Sequence, residues 1–423
     1  MMSNQTGFQT PSQPTAPWWT SVGRPEWRAL GAATSGWMLD AMDVMLYAFA
    51  LGAIRAEFDL NAVQAGALAS VTLLSSAAGG IGFGVLADRY GRARMLQVAI
   101  LTYSVFTALT ATAGTVAALV LWRALVGIGL GGEWSAGSVL VAETWPSAHR
   151  GKAIGIMQSG WAVGYILAAG LAAVIIPHWG WRPLFLVGIL PGFLAFWVRR
   201  HVSEPPQWKP AARGGRAVAD SFRAIFSPPL LNRTLLATGV ATLLMFAYWG
   251  LFTWVPTFLA APVAEGGAGM GIVRSSGWIV PMQLGALAGY LSFGFLADRF
   301  GRKPVFLVFV LSSAALVPLY GQAGGHPTLL LLLGPLIGFF GHGYFSVFGA
   351  MLAELYPTGI RATAQGLCYN AGRAVSALAP MTIGAIADIR GLGTALGVTA
   401  FFYVLAGVLI LRLPETRGQE LVD

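Results

Sequence analysis

The sequence predicts an all-α membrane protein whose twelve transmembrane helices form two pseudo-symmetric six-helix bundles. Three observations carry this expectation: 56% of the 423 residues are hydrophobic and only 10% charged, long stretches contain no charge, and the second half repeats motifs of the first. Soluble domains carry about 25% charged residues, so a bilayer is the natural solvent for this chain.

Residues 62–87, 95–122, 234–264, 275–297 and 391–411 contain no Asp, Glu, Lys or Arg. Each meets the length of about 20 apolar residues that a spanning helix needs. Charges and turn residues cut the chain into twelve predicted spans: 30–54, 63–87, 95–113, 117–142, 153–176, 183–198, 234–260, 276–297, 305–321, 328–353, 363–387 and 393–411. The predicted organisation is a polar tail (1–27), a first bundle (28–198), a linker (199–232), a second bundle (233–412) and a short tail (413–423). The first tail has neither a basic start nor an apolar segment ending at a small-residue cleavage site, so no secretory leader is expected.

An even number of spans puts both termini on one side. Most of the 26 Lys and Arg residues fall on that side, among them Arg89, Arg92, Arg94, Arg150, Lys152, Arg299, Arg302, Lys303 and Arg361. The positive-inside bias makes that side the cytoplasm, and the expected location is the inner (plasma) membrane. The formal net charge of +9 is thereby explained as topology. Nucleic-acid binding is excluded as its explanation, because the charges sit in short loops between apolar spans rather than on one polar face. The single Cys368 rules out an internal disulfide and a cysteine metal cluster.

The internal repeat is direct: FGVLADRYGRAR (83–94) returns as FGFLADRFGRKP (293–304), and Glu143 and Arg150 of ETWPSAHRGKAIG match Glu354 and Arg361 of ELYPTGIRATAQG. Six spans per repeat give two halves of the same orientation. In that arrangement a binding site lies between the halves near the midplane.

These motifs resemble the major facilitator superfamily across essentially the whole chain. Gly84 to Arg92 and Gly294 to Lys303 look like its loop signature, and RALVGIGLGG (123–132) looks like its proton-symporter signature. Pro414-Glu415-Thr416-Arg417-Gly418 looks like the ending common in its sugar porters. More narrowly, LDAMD, GGEWSAG, ETWPSAHRGKAIG and CYNAGR are similar to the sialate and monocarboxylate (lactate-type) proton symporters, with the aromatic-acid symporters second. The resemblance implies that Asp88 meets the N-terminal end of helix eleven and that Arg92 pairs with Glu143. It also implies that the loop charges Arg89, Arg150, Asp298, Arg299, Arg302, Glu354 and Arg361 belong to the same gating set. Such contacts exist in one access state and break in the other. The competing reading of Asp88 and Asp298 is plain topogenic charge.

The glycines of RALVGIGLGG are not a dinucleotide fingerprint, which requires a preceding strand. In mid-helix they permit close helix approach instead.

Ionisable groups inside spans are costly and therefore functional candidates. Asp40 and Asp43 lie three residues apart and share a face of the first span. Two carboxylates confined together repel, which suits the pair to reversible protonation. Arg123, in span four, is a candidate ion-pair partner for them, against the reading of a permanent bridge that merely joins helices. Glu133 lies further along that span, on a face turned about 80° from Arg123. It reads equally as a coupling or a packing residue. His342 reads chiefly as a hydrogen-bonded structural residue, while remaining a candidate in the cavity.

Arg373 lies about 18 Å deeper along helix eleven than Arg361, near the bilayer centre. A substrate carboxylate would satisfy it. Tyr369, Asn370, Tyr344, Gln283, Tyr248 and Trp249 are polar-tipped candidates for the same cavity in the C-terminal spans.

The sequence therefore predicts an alternating-access, proton-coupled symporter for a small organic acid anion: a monocarboxylate, a sialate or an aromatic acid. A sugar or polyol porter is the alternative. No cofactor or metal-ligand motif is present, and neither HExxH nor a partnered GxSxG supports an enzyme.

Overall fold

A computed structural model of the chain describes residues 22–145, 150–204, 223–346, 351–352, 355–356 and 361–416. The first five spans are single helices: α1 (Arg24–Phe58), α2 (Ala62–Tyr90), α3 (Arg92–Thr110), α4 (Val116–Thr144) and α5 (Arg150–Trp179). The sixth is α6 (Trp181–Leu186), a 3-10 turn (Val187–Ile189) and α7 (Pro191–His201). In the second half come α8 (Pro228–Phe252) with α9 (Val255–Ala260), α10 (Gly271–Phe300), α11 (Arg302–Gln322) and α12 (Pro327–Gly343). The last spans are α13 (Arg361–Ser376) with α14 (Ala379–Arg390), and α15 (Leu392–Ile410). Ten stretches among the described residues are long and apolar enough to cross a membrane. The shorter α12 and the α13/α14 pair complete the twelve.

Three spans expected to be continuous are interrupted at a proline, and the tenth is interrupted at Tyr344 without one. Pro191, Pro256 and Pro380 occupy the first turn of α7, α9 and α14. Proline is tolerated there because its missing N–H would have no helical partner, and it cannot continue the preceding turn. The eleventh span, expected over 363–387, therefore breaks between Ser376 and Ala379, just beyond Arg373. Broken helices are the elements from which transporter binding sites are built.

Within each half, glycines bring helices into backbone contact. A Cβ at Gly127 would meet the Thr72 carbonyl and one at Gly131 the Ser76 carbonyl, so α4 lies directly against α2. Gly285 against Pro335 and Gly338 against Met282 do the same for α10 and α12, the equivalent pair of the second half.

The repeated loop has a repeated structure. Gly91 and Gly301 both adopt positive φ (108° and 100°), a conformation that favours glycine. Behind the first, the Glu204 carboxylate accepts N–H bonds from Arg92 (2.7 Å), Ala93 (3.2 Å) and Arg94 (3.1 Å) at the start of α3. Behind the second, Glu415 accepts from Arg302 (2.9 Å) and Lys303 (3.0 Å) at the start of α11. Carboxylates suit helix N-termini, where N–H groups are unpaired and the dipole is positive. The Pro-Glu-Thr ending that resembles sugar porters thus has a structural task here, clamping the last span to the ninth.

Candidate functional site

Arg123 and Arg373, one from each half, line a common cavity at the interface between the halves. Asp40, Asp43, Arg123, Glu133 and Arg373 are all at most 2% exposed. Asp43 accepts a short hydrogen bond from the Thr107 hydroxyl (2.5 Å). Arg123 donates from Nε to Thr72 (3.1 Å) and lies over the Tyr47 ring, 4.8 Å from its centroid. It is within electrostatic reach of Asp43, yet no ion pair joins them among the described residues.

Both carboxylate oxygens of Asp40 and both of Glu133 are buried without a hydrogen-bond partner among the described residues. Across the interface Arg373 lies within electrostatic reach of both groups, again without an ion pair. An ionised carboxylate held dry without donors is expensive, so each of these groups is suited to carry a proton.

Arg373 lines two small cavities. One is walled by aromatic residues of both halves: Trp37 and Trp161 from the first, Tyr248, Trp249, Tyr290, Phe345 and Tyr369 from the second, with Gln158 beside them. The rings support one another, Trp161 lying 4.7 Å from Trp37 and 5.9 Å from Trp249 between centroids. The other cavity lies between α1, α2, α4, α8 and α13 and is lined by both Arg123 and Arg373. Each has a volume of about 20 Å³. That is room for about one water and not for an organic acid, so a substrate requires the halves to separate.

The halves touch on both sides of these cavities. One turn from Arg373 toward the side of the termini, Tyr369 stacks on Trp134 of α4, and a Cβ at Gly80 of α2 would collide with Asn370. On the far side, Gly66 packs on Pro380 and Gly384 on Ala62. There the Asp388 carboxylate at the end of α14 accepts the N–H groups of Ala62 (3.2 Å) and Val63 (3.3 Å).

Of the aromatic candidates, Tyr248, Trp249 and Tyr369 line the cavity with Arg373. His342 and Tyr344 are turned into the core of the second half. His342 sits among the rings of Tyr248, Phe252 and Tyr290, with Nδ1 3.1 Å from the Gly338 carbonyl. Tyr344 shares a hydroxyl contact with Tyr403 (3.4 Å), and Gln283 is fully buried on α10. Asn370 lies at the α2 contact, its Nδ2 donating to the Gly366 carbonyl (3.0 Å). Sequence reasoning missed the walls supplied by Trp37, Gln158 and Trp161, and the Trp134 ring that stacks on Tyr369. Trp37 and Trp134 share α1 and α4 with the buried charges, whereas Gln158 and Trp161 stand on α5, which carries none of them.

Among the gating candidates, Arg92 donates to the Ala87 carbonyl (2.9 Å). Arg299 lies over the Phe300 ring, and Arg302 starts α11. Glu354 and the side chains of Asp88, Arg89, Glu143, Arg150, Asp298 and Arg361 lie outside the described residues.

Comparison with known proteins agrees with this architecture. The family model for the Major Facilitator Superfamily matches residues 34–280 and 273–422. A Haemophilus influenzae protein named for metabolite transport is 38% identical over 403 residues, covering 93% of this chain and 98% of its own. The cis,cis-muconate transport protein of Acinetobacter baylyi is 33% identical, covering 92% of this chain and 94% of its own. The sialic acid transporter of Escherichia coli is 30% identical, covering 93% and 95%. Among solved structures, the partially occluded xylose transporter of E. coli superposes with a TM-score of 0.73 at 20% identity, covering 94% of this chain and all of its own; at that identity the likeness speaks to the fold. The chain is a multi-pass membrane transporter, not an enzyme, and belongs to the Major Facilitator Superfamily.

Proposed function

We propose that the protein is a proton-coupled symporter of a small, planar organic acid, set in the inner membrane with both termini cytoplasmic. One observation carries the reading: Arg373 is buried between the halves among aromatic rings, without an ion pair among the described residues. An arginine keeps its charge at such depth and presents a fork that matches a carboxylate through two parallel hydrogen bonds. The surrounding Trp and Tyr faces suit a flat, conjugated body. The relatives named for cis,cis-muconate and sialic acid support an acid as substrate.

Coupling follows from competition for this cation. In the absence of substrate, Arg373 draws its counter-charge from Asp40 or Glu133 across the interface. A bound substrate carboxylate takes over that role, and the displaced side chain is left dry without a cation, so it takes up a proton. Asp43, governed in the same way by Arg123, is the candidate proton carrier of the first half. In the loaded site the substrate carboxylate balances Arg373 across the low-dielectric interior. The sugar-porter alternative loses its motif to the structural role of Glu415, and it leaves the buried arginines without a task.

Counterflow in proteoliposomes tests the reading. Vesicles preloaded with unlabelled benzoate or nicotinate should transiently accumulate the labelled acid, and an inward pH gradient should drive net uptake. Accumulation of xylose but of neither acid would replace this reading with the sugar porter.

A further inference from the structure

The aromatic cavity explains one end of a substrate, but Arg373 also lines the second cavity, which it shares with Arg123. Arg123 is 1% exposed. Its Nε is committed to Thr72, whereas its Nη1 has no hydrogen-bond partner and no carboxylate lies within ion-pair distance among the described residues. Asp43, within electrostatic reach, receives the Thr107 hydroxyl on one oxygen and keeps the other without a partner among the described residues. A buried guanidinium with an unused N–H is as exposed to desolvation cost as Arg373 is. Two such groups, one from each half, face one cavity.

From this juxtaposition we infer that Arg123 is a second anion anchor, and that the preferred substrate is a small dicarboxylate with one end on Arg373 and the other on Arg123. The inference rests on the Arg373 reading and deepens it. A bridging dianion neutralises both cations at once. A monoanion leaves Arg123 dependent on Asp43. Because the two arginines belong to different halves, a two-ended acid also ties the halves together when it binds, which a one-ended acid of equal length does not. The Thr72 and Ser76 hydroxyls of the cavity already donate to carbonyls of their own helix and that of Tyr47 to the Ala65 carbonyl, and Arg123 is the lining cation besides Arg373.

The test compares binding of terephthalate with that of 4-carbamoylbenzoate, which keeps the length and the ring but carries one charge, using purified full-length protein and isothermal titration. Wild type should bind terephthalate about tenfold or more tightly than the half-amide, in line with a bidentate charged contact. Arg123→Gln should reduce that preference to about twofold or less while still binding the half-amide, as loss of one of two anchors requires. Should Arg123→Gln not fold, Arg123→Lys replaces it; retaining the charge without the fork, it should cut the preference severalfold. Equal binding of the two acids by wild type, or an undiminished preference in the variant, overturns the second anchor. Loss of half-amide binding on Arg373→Lys would in either case leave the first anchor standing. If wild type binds neither acid, both readings fall together.

Discussion

The rings of Trp134 and Tyr369 lie face to face, 3.8 Å apart at an interplanar angle of 9°, joining α4 of one half to α13 of the other. Tyr369 precedes Arg373 by one helical turn, about 6 Å along the axis, on the side of the termini. The stack therefore stands between the anchor and that face of the membrane. An aromatic pair contributes about 0.5–1.5 kcal/mol beyond its buried area. Trp134→Ala should accordingly favour opening on the side of the termini and raise the rate of substrate exchange several-fold, with affinity at Arg373 little changed. Stopped-flow exchange measures this. Unchanged exchange in a folded variant would make the stack simple packing.

On the far side, Asp388 holds the N-terminus of α2 through the N–H groups of Ala62 and Val63. A carboxylate at a helix N-terminus contributes about 0.3–1 kcal/mol. Asp388→Asn should therefore shift the balance of access states toward opening on the far side by about twofold to fivefold. Distances between spin labels on the outer ends of α2 and α14 report the shift. By the family resemblance, Asp88 stands at the opposite end of α2 toward helix eleven, so Asp88→Asn should shift the balance the other way and slow transport. Shifts of the same sign in both variants would contradict a paired arrangement.

The proton role of Asp43 has its own test. If Asp43 carries the proton, Asp43→Asn should abolish uptake driven by a pH gradient while retaining exchange of labelled for unlabelled acid, since exchange needs no net proton movement. Full pH-driven accumulation would remove Asp43 from the coupling. Parallel variants Asp40→Asn and Glu133→Gln then apportion the work among the three buried carboxylates of the first half.

Much of this site is legible in the sequence, for a physical reason. Asp40, Asp43, Arg123, Glu133 and Arg373 interrupt apolar runs, and the cost of burying charge makes each one conspicuous. The repeated loop announces the two halves, and the eleventh span places Arg373 at mid-depth by counting rise per residue. Helix facing is harder to read. His342 and Tyr344 carry polar tips like Tyr248 and Trp249, yet they turn into the core of the second half, and no periodicity separates the cases in spans that are apolar all round. Trp134 and Trp161 belong to the site because of what the opposite half brings against them, a relation between segments more than 80 residues apart. Pro380 stands just beyond the break after Ser376, but prolines such as Pro177 and Pro318 lie inside unbroken helices. Proline alone therefore does not locate a break.

The central claim, that Arg373 is the carboxylate anchor, is tested most directly by the affinity of Arg373→Lys for nicotinate, measured by isothermal titration beside that of neutral nicotinamide. Lysine keeps the charge and loses the fork. The account predicts that the variant binds the acid weaker by about 2 kcal/mol or more, roughly a thirtyfold loss, while wild type and variant bind the amide poorly and alike. Unchanged affinity of correctly folded Arg373→Lys for the acid would contradict the account.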